Sequence, residues 1–376
     1  LCKSPALTGA KRASYLRLLA LRVMLKRRKN RKDSGSVAAR NAARWEITML
    51  RIVEQDQALR PFQGDLQLRM DNYGRVRYEL TQGGSLSDFA NAHIYYGFHH
   101  TAEGWVYREW APAADALYLT GEFNDWDAQS HPLQPVGSGN WEIRLPHDAL
   151  RDGMRVKTVV RNGDTLSWHI PLYARRVVQD SESFEWICEV WDPTESYPWT
   201  DAAFVPEQIP FIYEAHVGMA TEEYRPGTYR EFADNVLPRV RDLGYNTVQL
   251  MAIMEHPYYG SFGYQVSNFF AASSRFGYPE ELKYLVNKAH EMGISVLLDL
   301  VHSHAVTNTV EGINRFDGTD TQFFRPGAAG NHPAWDTKCF DYGKPEVLHF
   351  LLSNLKFWMT EYHFDGFRFD GVTSML

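Results

Sequence analysis

Between about Tyr96 and Trp191, apolar and polar positions alternate with period two in short runs. Examples are WVYREWAP, ALYLTGEF, WEIRLP, RVKTVVRNGD and FEWICEVW, each closed by turn residues. Alternation puts one set of side chains on one face of a strand, and several such strands at roughly eight-to-twelve-residue spacing predict a β-sandwich, assigned to residues 91–192. Ahead of it, residues 49–90 read as a helical lead-in (Glu54 to Leu59, then Phe62 to Met70) ending in a turn at Gly83 and Gly84. Behind it, WDPTESYPWTDAAFVPEQIP is rich in proline and polar residues, so residues 193–208 read as a linker.

From residue 209 the rhythm becomes strand then helix. PFIYEAHV, NTVQLMAI, ISVLLDLV and FDGFRFDG are near-continuous apolar strands. The helix after the first carries Phe232, Val236, Leu237, Val240 and Leu243 at helical spacing and stops at Gly244. The second carries Leu282, Leu285, Val286, Ala289 and Met292 and stops at Gly293; the third carries Val347, Leu351, Leu355, Trp358 and Tyr362. Apolar strands alternating with amphipathic helices predict a parallel sheet covered on its faces, either a β/α barrel or an open α/β sheet.

Polar residues gather where these strands end, the place where such sheets keep their chemistry. Four features stand there: His216, the segment Glu255 to Gln265 (EHPYYGSFGYQ), the segment Asp299 to His304 (DLVHSH), and FRFD. Arg368 and Asp370 lie two apart, hence on one face of an otherwise apolar strand. An arginine and a carboxylate placed so make a charged site.

The chain has 376 residues, enough for two domains with buried cores. Aromatics make up 14%, including 11 Trp and 20 Tyr, a large supply of flat apolar faces that suits sugar rings or bases as well as cores. Residues 1–48 hold 13 Lys+Arg against 2 Asp+Glu, a net of +11; with −7 for the whole chain, −18 falls on the rest. An acidic body argues against nucleic acid as partner. The basic segment 1–48 is taken as disordered or not native, with the native start expected near Met49, and its apolar stretch is broken by Arg17 and Arg22, so no membrane span is expected. Cys2, Cys188 and Cys339 are odd in number and widely spaced, which predicts no disulfide framework and fits a reducing cytoplasm. No phosphate-cradling glycine loop and no metal-ligand spacing stands out, so neither cofactor nor metal is expected.

In order and spacing, the four strand-end features resemble the α-amylase superfamily of glycoside hydrolases. DLVHSHA, GFRFDGVTSML, MEHPYYGSFGYQVSNFFAASSRFG and YEAHVG are similar to its 1,4-α-glucan-branching group of the eukaryotic type. REWAPAADALYLTGEFNDW (Arg108 to Trp126) resembles the family-48 carbohydrate-binding module that precedes such barrels. The resemblance covers residues 50–376 and implies a sandwich module followed by the first half of a (β/α)8 barrel at 209–376. It further implies a retaining glucanotransferase that cuts an α-1,4-glucan and makes α-1,6 branches in glycogen or a starch-like polysaccharide. Asp370 would be the nucleophile, Arg368 would keep it ionised, Asp299 would fix Arg368, and His304 would donate to a sugar hydroxyl. Tyr264 would stack beneath the same sugar, with Gln265 and His256 beside it; His302 is left without a role and His216 is support. Trp126 and Trp141 are read as core or turn anchors of the module. Trp110, Pro112, Gly139 and Glu346 would line a glucan groove between module and barrel, where Pro345 and His349 depart from the aromatic and arginine of relatives. The family's acid/base glutamate follows a fifth strand and is not among these residues, so the 376 residues alone are expected to lack branching activity and to be poorly soluble. A monomer acting in the cytoplasm is expected. The competing expectations are a debranching hydrolase of the same superfamily and a non-catalytic glucan-binding protein.

Overall fold

The structure is a computed structural model and describes residues 52–376; the segment 1–48 lies outside the described residues. These residues divide into two units, one ending at Asn91 and one spanning Ala92–Leu376.

In the first unit a 3-10 turn, Gln57–Phe62, starts where the Asp56 carboxylate accepts from the Ala58 amide. It leads into an α-helix, Gln63–Thr81. That helix runs eleven residues past the Met70 read from the sequence. It has no apolar stripe to betray it. Instead, one-turn pairs (Gln67 with Asp71, Arg75 with Glu79) support a polar surface, which hydrophobic periodicity misses. Gln82 ends it in the left-handed region, ahead of the Gly83 turn at φ +91°.

The second unit opens with the sandwich. Its strands are β1 (Gly97–Thr101), β2 (Gly104–Trp110), β3 (Ala116–Gly121), β4 (Gln134–Gly137), β5 (Asn140–Leu145), β6 (Arg155–Asn162), β7 (Thr165–His169), β8 (Val177–Gln179) and β9 (Trp186–Glu189). One sheet has the order β1-β2-β5-β4; the other runs β3-β6-β9-β8, with β7 also on β6. Alternate residues such as Trp105, Tyr107, Leu117, Leu119, Val156 and Val160 fill the space between them.

A parallel sheet follows in the order β10 (Ile212–Ala215), β11 (Thr247–Leu250), β14 (Ser295–Leu300) and β18 (Gly366–Phe369), with a separate pair, β12 (Met254–Glu255) and β13 (Asn268–Ala272), between β11 and β14 in the chain. Gly244 at φ +87° and Gly293 at φ +76° end the first two helices where the sequence places the stops. The first helix departs from regular spacing. A π-turn over Phe232–Val236 separates Tyr229–Glu231 from Leu237–Asp242. An extra residue in one turn rotates all that follows by about 100°. Leu237 and Val240 stay buried, but Leu243 falls on the cap and is 68% exposed, against the core position its spacing suggested.

Residues 193–208 do not behave as a free linker. The buried Asp201 carboxylate accepts from Nδ1 of both His290 and His363, Phe204 stacks on His290 at 4.2 Å, and Trp199 stacks on His363 at 3.7 Å. Composition announced a connector; specific partners on the barrel helices turned it into a fastened strap.

Module and barrel also share direct bonds. His169 Nδ1 donates to the Thr309 carbonyl at 3.0 Å, Asn162 to that of Asp317 at 2.9 Å, and Gln322 to that of Trp110 at 2.5 Å. Beneath them Glu109 is fully buried, its Oε1 accepting from the Tyr107 hydroxyl and the Leu172 amide. Burial pushes its pKa up to about 8, above the usual glutamate value. Between that ordinary value and pH 8 the folded chain therefore binds the proton that the unfolded chain has lost, and stability falls as pH rises. Thermal melts should show Glu109→Gln losing part of this pH dependence, gaining about 2 kcal/mol on the native chain by pH 8. Parallel melting curves for both proteins between pH 5 and 8 would contradict it.

Candidate active site

β14 and β18 pair in parallel, with Asp299 opposite Arg368, so the two side chains leave the sheet on one face. The Asp370 amide donates to the Leu300 carbonyl at 2.9 Å, carrying the ladder one residue past the strand and fixing where Asp370 stands. Arg368 Nη1 lies 2.7 and 2.9 Å from the two oxygens of Asp299 and 2.9 Å from Oδ1 of Asp370. One guanidinium thus serves two carboxylates. Asp299 is fully buried, and burial pushes its pKa up while Arg368 and the Tyr264 hydroxyl pull it back. Tyr264 donates to Asp299 Oδ2 at 2.7 Å. Hydrogen bonding to Asp299 in turn raises the Arg368 pKa, so that side chain stays charged. Of the two carboxylates, Asp370 is the one that reaches solvent.

His304, in β15 (His304–Val306), has both ring nitrogens taken: Nε2 meets the Tyr264 carbonyl at 2.9 Å and Nδ1 the Ser303 hydroxyl at 2.8 Å. The expected partner was a sugar hydroxyl; in the fold it is the main chain that carries Tyr264. His302 is buried against Asn354 at 2.8 Å. His216 caps the turn after β10 by accepting from the Met219 amide. His256 is corrected: it is fully buried, its Nδ1 on the Met254 carbonyl, with burial lowering its pKa to about 4, so it presents no surface to a sugar. Gln265 is half-buried and donates to the Trp335 carbonyl at 3.1 Å.

At the module's edge Pro112 and Gly139 touch; a Cβ on Gly139 would stand 2.7 Å from Pro112 Cα, and φ there is +75°. Beside them the Tyr96 hydroxyl donates to Asn140 at 2.6 Å, and Tyr96 feels the exposed Glu346 electrostatically. Three of the four groove residues therefore gather around Tyr96, which the sequence did not single out. Trp110 does not join them as a platform. It is 8% exposed and packs edge-on against Phe323.

Two aromatic surfaces were also unread. Trp126 and Trp168, 40% and 42% exposed, flank a groove of about 1040 Å³ on the outer face of the β3-β6-β9-β8 sheet, with Lys157 and Asn162 in its lining. The anchor reading fits Trp141, which is buried with Nε1 on the Ala111 carbonyl, and not Trp126. The second is Trp335, in residues 301–344, a connection far longer than the roughly two-to-six residues usual after a barrel strand. That length was the available signal.

A sandwich followed by parallel β/α units, with an arginine bracketed by two carboxylates at the strand ends, is the build of a chain of the β/α-barrel class. Residues 95–174 match the family model of carbohydrate-binding module 48 (isoamylase N-terminal domain), and residues 233–338 match that of the α-amylase catalytic domain. The chain is 48% identical over 338 residues to a 1,4-alpha-glucan-branching enzyme of Yarrowia lipolytica, covering 87% of this chain and 49% of that protein. With the enzyme of the same name from Felis catus it shares 45% over 351 residues, 91% of this chain and 50% of that one. The chain spans about half the length of the curated relatives it matches. Among solved structures, the catalytic module of the multi-modular glycogen-degrading pneumococcal virulence factor SpuA superposes with a TM-score of 0.60 at 19% identity, over 77% of this chain and 49% of that one, a likeness of fold.

Truncating Asp299 would leave Arg368 with one carboxylate and Tyr264 with none. Asp299→Ala should cost about 2 kcal/mol in chemical denaturation, below the range for a fully buried pair because Arg368 is itself partly exposed. An unchanged midpoint would show that the trio contributes no net stability.

Proposed function

We propose that this chain carries the nucleophilic half of a 1,4-α-glucan-branching site. The observation that carries the reading is Arg368 held between Asp299 and Asp370 at the ends of adjacent strands. Transfer from an α-1,4 to an α-1,6 linkage keeps the anomeric configuration, so two inversions are needed. In the first, an Asp370 oxygen attacks the anomeric carbon, the glycosidic C–O bond breaks, and the departing 4-oxygen takes a proton from an acid. In the second, a 6-hydroxyl attacks that carbon, gives up its proton, and releases the carboxylate.

Arg368 aims Asp370 through a charge-assisted contact. Asp299 positions Arg368, and with His304 it fixes Tyr264 as the stacking face beneath the sugar. Gln265 lies at the rim. Pro112, Gly139 and Glu346, with Tyr96, would steady a glucan strand at the module's edge, and the outer groove would hold another. Glycogen or a starch-like glucan is the partner. A cytoplasmic setting agrees with Cys188 and Cys339 being free thiols. Among the described residues no helix is long and apolar enough to cross a membrane.

An activated donor tests the nucleophile without the acid, because fluoride departs unaided. Incubated with 5-fluoro-α-glucosyl fluoride, the purified chain should gain one glycosyl mass on the peptide holding Asp370, and Asp370→Asn should gain none. Starch given to these 376 residues alone should acquire no α-1,6 branches. Adduct on another residue, or an undiminished adduct in Asp370→Asn, would sink the assignment, leaving a glucan-binding protein as the reading. Branch formation by the chain alone would overturn the expected need for a further proton donor.

For the outer groove, Trp126→Ala with Trp168→Ala should weaken glycogen co-sedimentation about tenfold, roughly two ring stacks of somewhat under 1 kcal/mol each. Equal sedimentation by both proteins would remove the groove from the reading.

A further inference from the structure

Residues 301–344 fold back over the strand ends as a small antiparallel sheet, β15-β17-β16, with β16 at Asn331–His332 and β17 at Thr337–Cys339. The turn joining β16 to β17 carries Trp335. Its conformation is fixed from several sides. The Trp335 amide donates to the His332 carbonyl at 3.1 Å, and its own carbonyl accepts from Gln265 Nε2 at 3.1 Å. Asp336 behind it takes φ +50°, a left-handed conformation that turns the chain sharply into β17. One face of the indole lies flat on the His332 ring, 3.9 Å between centroids and 6° from parallel; His304 leans against it at 5.1 Å.

What remains open is notable for where it stands. Trp335 is 40% exposed. Its ring edge (Cζ3) comes within 3.2 Å of where a Cβ on Gly371 would be, with Ser303 Oγ at 2.5 Å from the same point. Gly371 follows Asp370 directly and has φ +61°. The backbone after the carboxylate is thus pared to glycine, and the space saved is filled by the indole edge and a hydroxyl. An exposed tryptophan has an unfavourable hydration term. Here it is also immobilised, so little further freedom is lost when a ligand covers it.

We infer that Trp335 is a sugar-stacking platform beside the cleavage point, taking the glucose ring next to the one that Asp370 attacks. The occupant is an α-1,4-linked glucan, whose pyranose C–H face matches a flat aromatic surface. The cleaved ring has its own surroundings in Tyr264, Arg368 and Asp370, so the platform belongs to a neighbouring ring. The inference rests on the reading of Asp370 as nucleophile. Sitting between Gln265, His304 and Gly371, Trp335 also makes those three contacts part of one wall.

Two measurements test it. Maltoheptaose is titrated calorimetrically into Asp370→Asn protein carrying Trp335, Trp335→Phe or Trp335→Ala, and adduct formation from 5-fluoro-α-glucosyl fluoride is timed in the same series on intact Asp370. The expected result is a Kd about tenfold higher for Trp335→Ala, within threefold of the parent for Trp335→Phe, and labelling rates within twofold across the series, since glucosyl fluoride fills only the cleaved subsite. An unchanged Kd in Trp335→Ala overturns the platform. So does a labelling rate that collapses in both Trp335 variants, because the indole would then be holding the site together and not binding sugar. Absence of label on Asp370 in the parent defeats the nucleophile reading, while the Kd comparison still judges Trp335.

Discussion

Arg368 is asked to satisfy two anions at once, and the site depends on how that competition is arranged. Asp299 is fully buried and would be costly as a lone charge; it is stabilised by two contacts from Arg368 and one from the Tyr264 hydroxyl. Asp370 receives the same cation from the solvent side at 2.9 Å and has no comparable second donor. The inner carboxylate is therefore saturated and the outer one keeps oxygen lone pairs free toward solvent, an asymmetry between a support and an accessible carboxylate. It works only in one register. Asp299 and Arg368 face one another across β14 and β18, and a slip of one residue would send one of them to the helix side of the sheet.

That asymmetry explains which parts could be read from the chain. Arg368 and Asp370 were visible because charges two apart interrupt an apolar strand, and DLVHSH was visible because it ends another. Period-two runs gave the sandwich, and helices ended by glycine gave the barrel segment. Features without such a signature were missed for identifiable reasons. The helix Gln63–Thr81 has no apolar face. The π-turn at Phe232–Val236 leaves composition untouched while rotating Leu243 outward. Asp201 looked like linker chemistry because its histidine partners lie some ninety and one hundred and sixty residues away. His256 and Trp110 sat in motifs that implied contact with sugar, yet burial decides access, and burial is a property of tertiary packing.

The module bears on the site through the same long insertion that carries Trp335. His169 and Asn162 on the sandwich grip the carbonyls of Thr309 and Asp317, while the Asp317 carboxylate accepts from the Ala113 amide. Gln322 ties the far end of that stretch to Trp110 by donating from Nε2, and its Oε1 accepts from the Asp317 amide as a second lock. Residues 307–322 are held by the module from one side, and β15, which starts at His304, leads straight into them. An insertion of this length would otherwise be mobile, since loops gain order only through specific contacts. Its anchoring to the sandwich makes the position of His304, and through it the Tyr264 main chain, depend on the module being folded in place. The sandwich is then a structural wall beside the strand ends. Removing it would take away the partners of Thr309, Asp317 and Gln322 and loosen the insertion that carries Trp335, so the order of the strand ends rests on the module by packing.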